Sequence, residues 1–140
     1  MKEASFHSEK FLEISRAALA LRPDFSMVTG VEFLAPSVPL GCVGCYSSAG
    51  GISPTLCTQL YDACIAGDAA LARERQMKML QLWDIFRDQY PSSLKGGMVI
   101  MGRPVGPTSP PLPTSSKERL DFIAKRLGEL GILDTEPHGW

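Results

Sequence analysis

Apolar positions along the first third of the chain change their spacing several times. Phe11, Ile14, Ala17, Ala18 and Leu21 recur at helical intervals, which predicts a helix capped by Ser8 and ended by Pro23. Phe25-Ser26-Met27-Val28-Thr29-Gly30 reads as a short strand closing on glycine. Val31-Glu32-Phe33-Leu34-Ala35 predicts a short helix, closed by Pro36 and Pro39. Cys42 to Ser47 then predicts a second strand. A glycine-bearing loop follows it into a helix start, with Ser53 as cap and Pro54 in the first turn. Strand, short helical crossover and strand in this order predict parallel pairing.

From Pro54 onward the pattern is helical. Leu56, Leu60, Tyr61 and Cys64 mark one face, Gly67 is a stop and Asp68 caps the next helix. Leu71, Met77, Leu80, Leu82, Trp83, Ile85 and Phe86 carry that helix to a break at Tyr90-Pro91. Met77 and Met79 could mark a ligand face, but core filling is the commoner use of methionine. Leu94 to Met101 predicts another helix, ended by Gly102. Pro104 to Pro113 holds five prolines and must be irregular or extended. It reads as a surface-hugging linker or a ligand for a polyproline-binding domain. Ser115-Ser116-Lys117-Glu118 opens a last helix with an apolar face of Leu120, Ile123, Ala124, Leu127 and Leu130, ended by Gly131. Thr135 to Trp140 predicts a mobile tail carrying His138. The domain reading is therefore an α/β part over 1–53, a helical region over 54–134 and a tail over 135–140.

Composition narrows the function classes. With 140 residues the chain can build one domain with a modest core. A net charge of −1 leaves no basic footprint for nucleic acid. No apolar run spans a bilayer and the N-terminus lacks a signal-peptide core, so a cytoplasmic protein is expected. Nucleotide-binding, hydrolase-elbow and zinc-protease motifs do not occur, and no cofactor or metal is expected. Cys42 and Cys45 form a C-x-x-C, but Cys57 and Cys64 supply no second knuckle. Three apart on a strand, Cys42 and Cys45 should point to opposite faces. Small buried thiols fit better than a zinc or redox site. His7 could serve as an acid or base, but is read as solvated near a helix start.

The order of these pieces resembles the C-terminal half of the dihydrodipicolinate synthase / N-acetylneuraminate lyase family. Met1-Lys2-Glu3-Ala4-Ser5 is similar to the end of that family's sixth barrel strand, and Gly30 to the glycine after the seventh. Gly41-x-x-Gly44-x-Tyr46-Ser47 is similar to its eighth strand, with Ser53-Pro54 opening the next helix. Ala66-Gly67-Asp68 with Ala72 and Gln76 matches its helix junction, and Gly102-x-Pro104-Val105-Gly106-Pro107 with Pro110-Pro111-Leu112 its late proline loop. The resemblance implies part of a (β/α)8 barrel with two or three parallel strands, followed by a helical bundle. It implies a Schiff-base lyase acting on pyruvate-like 2-oxo acids, with Lys2 as the nucleophile and Gly30, Tyr46 and Ser47 beside the substrate. Without the resemblance, Lys2 would read as a plain solvated lysine.

The sequence departs from the family at informative places. A complete barrel takes about 250 residues, and the segments matching strands one to five are not in this chain. With them go the Gly-Thr-Thr-type carboxylate-binding segment and the proton-transfer tyrosine, which Tyr46 does not replace. Gly51 stands where many members carry asparagine, and Ser109 where many carry arginine. Parallel strands with an open edge invite association. The chain is therefore expected to form a homo-oligomer or to pair with a missing N-terminal half. The competing expectation is a truncated, non-catalytic interaction module.

Overall fold

The structure is a computed structural model. It describes every residue except Phe6, Val31 and Glu32, so part of the predicted 31–35 helix lies outside the described residues. Three strands, β1 (Lys2–Glu3), β2 (Met27–Gly30) and β3 (Cys42–Tyr46), form one parallel sheet in the order β1-β2-β3. Seven α-helices stand among the described residues: α1 (Ser8–Leu21), α2 (Leu34–Ser37), α3 (Pro54–Ile65), α4 (Ala69–Arg87), α5 (Ser92–Ile100), α6 (Lys117–Glu129) and α7 (Ile132–Thr135). The expected parallel strands and crossover helices are present. The chain divides into two compact units, Met1–Ser47 with Thr58–Gln76, and Ser48–Cys57 with Met77–Trp140.

In the first unit, α1 buries Phe11 against Met27 of β2 and Cys42 of β3, with Ile14, Phe25 and Leu40 packed around them. The helix ends before Pro23, as its ring requires. Its N-cap is His7 rather than Ser8, and no side chain caps it. The short crossover helix begins at Leu34 and includes Pro36. A proline in a first turn needs no amide partner, so Pro36 fits inside the helix instead of closing it. The Ala35 amide donates to Gln76 Oε1 at 3.0 Å, which ties α2 to the first half of α4.

Sheet register corrects the cysteine expectation. Met27 lies opposite Cys42 and Thr29 opposite Cys45. Two steps along β2 therefore match three along β3, which is a bulge. The extra residue puts Cys42 and Cys45 on the same face of the sheet, the face of Met27 and Thr29. Cys42 is buried and donates its thiol to the Gly44 carbonyl at 2.9 Å.

In the second unit, Met79, Leu82, Phe86, Ile123, Leu127 and Ile132 are fully buried. Gly97 lets α5 approach this core: a Cβ there would stand 2.7 Å from Phe86 Cε1 and 3.0 Å from Ile52 Cδ1. Arg119 of α6 gathers the end of α4, donating to the Ile85 carbonyl at 2.6 Å and the Asp88 carbonyl at 3.1 Å. Ser116 caps α6 by accepting the Arg119 amide, as its sequence predicts. Met79 is buried, but Met77 is 55% exposed, so the core reading holds for Met79 alone.

The proline segment lies along α5. Lys95 Nζ donates to the Gly106 and Pro107 carbonyls at 3.0 and 2.9 Å, and Thr108 Oγ1 to the Pro113 carbonyl at 2.8 Å. The last residues are not a loose tail. Buried Arg103 donates to the Pro137 and Gly139 carbonyls and to those of Gly51 and Ile52. The Gly139 amide donates to the Met101 carbonyl at 2.9 Å.

Candidate active site

The residues expected at the site all belong to the first unit: Lys2 opens the two-residue β1, Gly30 and Tyr46 close β2 and β3, and Ser47 follows Tyr46. β1 runs beside β2 with Lys2 opposite Val28 and Glu3 opposite Thr29. Side chains alternate along a strand, so Lys2 and Glu3 leave the sheet on opposite faces. Glu3 turns into the helix-covered side and is buried. Lys2 stands on the other, open face and is exposed.

Gly30 and Tyr46 share the Lys2 face. Gly30 lies opposite Tyr46 in the register. Lys2 Nζ is 5.6 Å from the centroid of the Tyr46 ring, within the reach of a cation–π contact. The Lys2 stem runs over Gly30: a Cβ there would be 3.0 Å from Lys2 Cε and 2.4 Å from Ala4 Cβ. Gly30 is thus the low floor over which the lysine reaches Tyr46. Ser47 follows Tyr46 directly and is half-buried. Tyr46 is 67% exposed, so the amine and the ring both face an open side of the sheet.

The opposite face carries a second cluster. Glu3 Oε1 accepts the Ser5 amide at 2.7 Å. Burial pushes this carboxyl up, but the Ser5 hydrogen bonds and the charges of Lys10 and His7 outweigh it and hold it below the usual glutamate range. Sequence reasoning missed Glu3, although strand alternation next to Lys2 was a signal for it. It also missed Glu136 and Arg103, for which no local pattern exists. Among the described residues, no group of three His, Cys, Asp or Glu could hold a metal ion, and no helix is long and apolar enough to cross a membrane.

Consecutive parallel strands alternating with helices are the arrangement of part of a (β/α)8 barrel. The model of the dihydrodipicolinate synthetase family matches residues 1–129. The chain belongs to that family. It is 30% identical over 135 residues to the 4-hydroxy-tetrahydrodipicolinate synthase of Archaeoglobus fulgidus, covering 95% of this chain and 46% of the relative. It is 34% identical over 134 residues to the enzyme of the same name from Thermus thermophilus, covering 89% and 44%. Among solved structures it is similar to YagE, a prophage protein of the dihydrodipicolinic acid synthase family from E. coli K12, in complex with pyruvate. That likeness has a TM-score of 0.81 and 23% identity over 94% of this chain and 45% of the other, and it is a likeness of fold. The chain spans less than half the length of the curated relatives it matches.

Proposed function

We propose that this chain carries the imine-forming half of a Schiff-base lyase site for pyruvate-like 2-oxo acids, with Lys2 as the nucleophile. The observation that carries the reading is the closeness of Lys2, Gly30 and Tyr46 on one face of three neighbouring parallel strands. The neutral Lys2 amine would add to the 2-oxo carbon, and loss of water would leave a protonated imine. That imine accepts electrons from the adjacent carbon, so a neighbouring carbon–carbon or carbon–oxygen bond can form or break. Gly30 would border the substrate through its backbone and lets Ala4 and the Lys2 stem pack close against β2. Tyr46 and Ser47 would border its carboxylate. Pyruvate in the YagE complex supports the ligand class. The opposite wall of such a site would come from the barrel segments that the relatives carry outside the matched region, or from another copy in a homo-oligomer.

The test is incubation with pyruvate and borohydride, followed by peptide mass analysis. Reduced adduct on Lys2, absent in Lys2→Arg, supports the reading. A folded chain that gains no mass at Lys2 refutes it for this chain alone. Repeating the incubation with a chain supplying the other barrel half tests whether the site is completed in trans.

One observation favours a second reading, a non-catalytic interaction module. β1 and β3 are both sheet edges, so each leaves backbone groups open to pairing. Association without any pyruvate adduct, seen by gel filtration and mass analysis together, would select that reading.

A further inference from the structure

We propose that the Tyr46 hydroxyl holds the substrate carboxylate, so that this side of the site already distinguishes 2-oxo acids from plain ketones. The inference rests on the Schiff-base reading of Lys2. By register and strand alternation, Lys2, Val28, Gly30, Gly44 and Tyr46 share one face of the sheet. A Cβ on Gly44 would stand 4.0 Å from Val28 Cγ1, which agrees with that placement. Among these residues only Lys2 and Tyr46 carry polar side chains. The phenol is therefore the one side-chain donor beside the amine on this stretch of sheet.

Both groups are available. Lys2 and Tyr46 are exposed. Neither the amine nor the hydroxyl has a hydrogen-bond partner among the described residues; the contact they share is that of the ammonium with the ring.

The ring decides where each charge of an adduct goes. Lys2 Nζ lies over the Tyr46 ring, 5.6 Å from its centroid. In imine formation the bond from Nζ to the 2-oxo carbon forms and the oxo oxygen leaves as water. The carboxylate carbon then stands two bonds from Nζ, about 2.5 Å away by ordinary bond lengths. An aromatic ring is negative on its face and positive at its edge. The face attracts the cationic nitrogen of the protonated imine and turns the carboxylate away. The edge carries the hydroxyl, which donates to an anion in a charge-assisted hydrogen bond. One side chain thus sorts the two charges, the nitrogen over the face and the carboxylate at the rim. A ketone without a carboxylate gains the face contact alone.

The experiment is trapping with cyanoborohydride, which reduces a protonated imine to a secondary amine, over a range of pyruvate and of acetone concentrations. Adduct on Lys2 is located by peptide fragmentation in the full chain and in Tyr46→Phe, which keeps the ring and removes the hydroxyl. Tyr46→Phe is expected to raise half-saturating pyruvate at least fivefold, with the maximal trapping rate and the acetone reaction changed less than twofold. Unchanged half-saturating pyruvate in folded Tyr46→Phe, or an equal loss with acetone, would overturn the proposal and leave the imine reading standing. Absence of any pyruvate adduct on Lys2 of the parent chain would overturn both. If Tyr46→Phe does not fold by circular dichroism, the parent chain is compared with Nα-acetyl-lysine as a free amine. A preference for pyruvate over acetone at Lys2 at least fivefold above that of the free amine supports the proposal, and an equal preference refutes it.

Discussion

The Ser53 hydroxyl donates to a Glu136 carboxylate oxygen 2.5 Å away, far along the chain. The same carboxylate accepts the Thr55 amide at 2.8 Å and the Leu56 amide at 2.9 Å. The cap of α3 is therefore Glu136. Ser53 is the donor in this arrangement, not the acceptor its position suggests. Glu136 is buried, so its removal strands three donors. Glu136→Ala is expected to lower stability by about 2 kcal/mol, the scale of hydrogen bonds to a charged group. Glu136→Gln, which keeps one acceptor oxygen, should lose less. Urea unfolding followed by Trp83 fluorescence measures both.

Arg103 should matter for the order of the C-terminus. Its guanidinium reaches four carbonyls, at Gly51, Ile52, Pro137 and Gly139. A single ammonium cannot reproduce that planar fork. Arg103→Lys and Arg103→Leu are both expected to release residues 137–140, read as faster carboxypeptidase trimming and faster amide exchange at Gly139. Protection equal to that of the parent chain would show that the Gly139–Met101 hydrogen bond and the Glu136 anchor hold the segment without Arg103.

Two glycines of the second unit should respond differently to the same change. At Gly97 a Cβ meets the Phe86 ring and Ile52, both in the core. Gly97→Ala is expected to cost about 1–3 kcal/mol by overpacking. At Gly51 a Cβ meets Met98 Sδ at 2.9 Å, near the end of a flexible side chain. Gly51→Ala should cost less than about 1 kcal/mol, because methionine changes rotamer readily. The two unfolding midpoints give the comparison.

Gly30 links packing to the proposed chemistry. A Cβ there would collide with Ala4 Cβ at 2.4 Å and Ala4 Cα at 3.1 Å, so β1 would have to move. Gly30→Ala is expected to reduce borohydride-trapped pyruvate adduct on Lys2 at least tenfold while the helical signal persists. Undiminished trapping would show that the position of β1 does not govern the amine.

Stability should depend on the ionisation of Glu3. Its folded carboxyl is held below the usual range, so the unfolded chain binds a proton more readily. The contribution is complete above the unfolded value, near pH 4.3, and is lost as pH falls through the folded value. Glu3→Gln should therefore differ most from the parent chain above about pH 5 and converge with it in acid. A stability difference that stays constant from pH 7 to pH 3 would remove Glu3 as the cause.

The elements that the sequence reveals are those with local causes. Pro23 ends α1, Gly67 and Asp68 separate α3 from α4, and Ser116 opens α6, each through backbone constraints or caps within a few residues. Positive φ at Gly67, 73°, and at Gly131, 69°, matches the helix stops read there. Lys2, Gly30 and Tyr46 became candidates through family resemblance, since each taken alone is an ordinary residue. The expectations that failed depend on distant groups. Ser53 looked like an acceptor because Glu136 is far away in sequence. Cys42 and Cys45 looked opposed because a bulge is defined by the neighbouring strand. The C-terminal segment looked loose because Arg103, which holds it, gives no local sign.

By itself, then, the sequence determined helix ends, parallel strand pairing and the order of pieces that marks a (β/α)8 family. Those follow from φ restriction, capping and apolar periodicity, which act over a few residues. Only the tertiary structure decided that Lys2 stands over Gly30 beside the Tyr46 ring while Glu3 turns into a cleft behind them. Strand alternation separates those two neighbours, but register chooses what each one meets. Register is set by pairing between segments far apart in sequence, and no short stretch of the chain contains it.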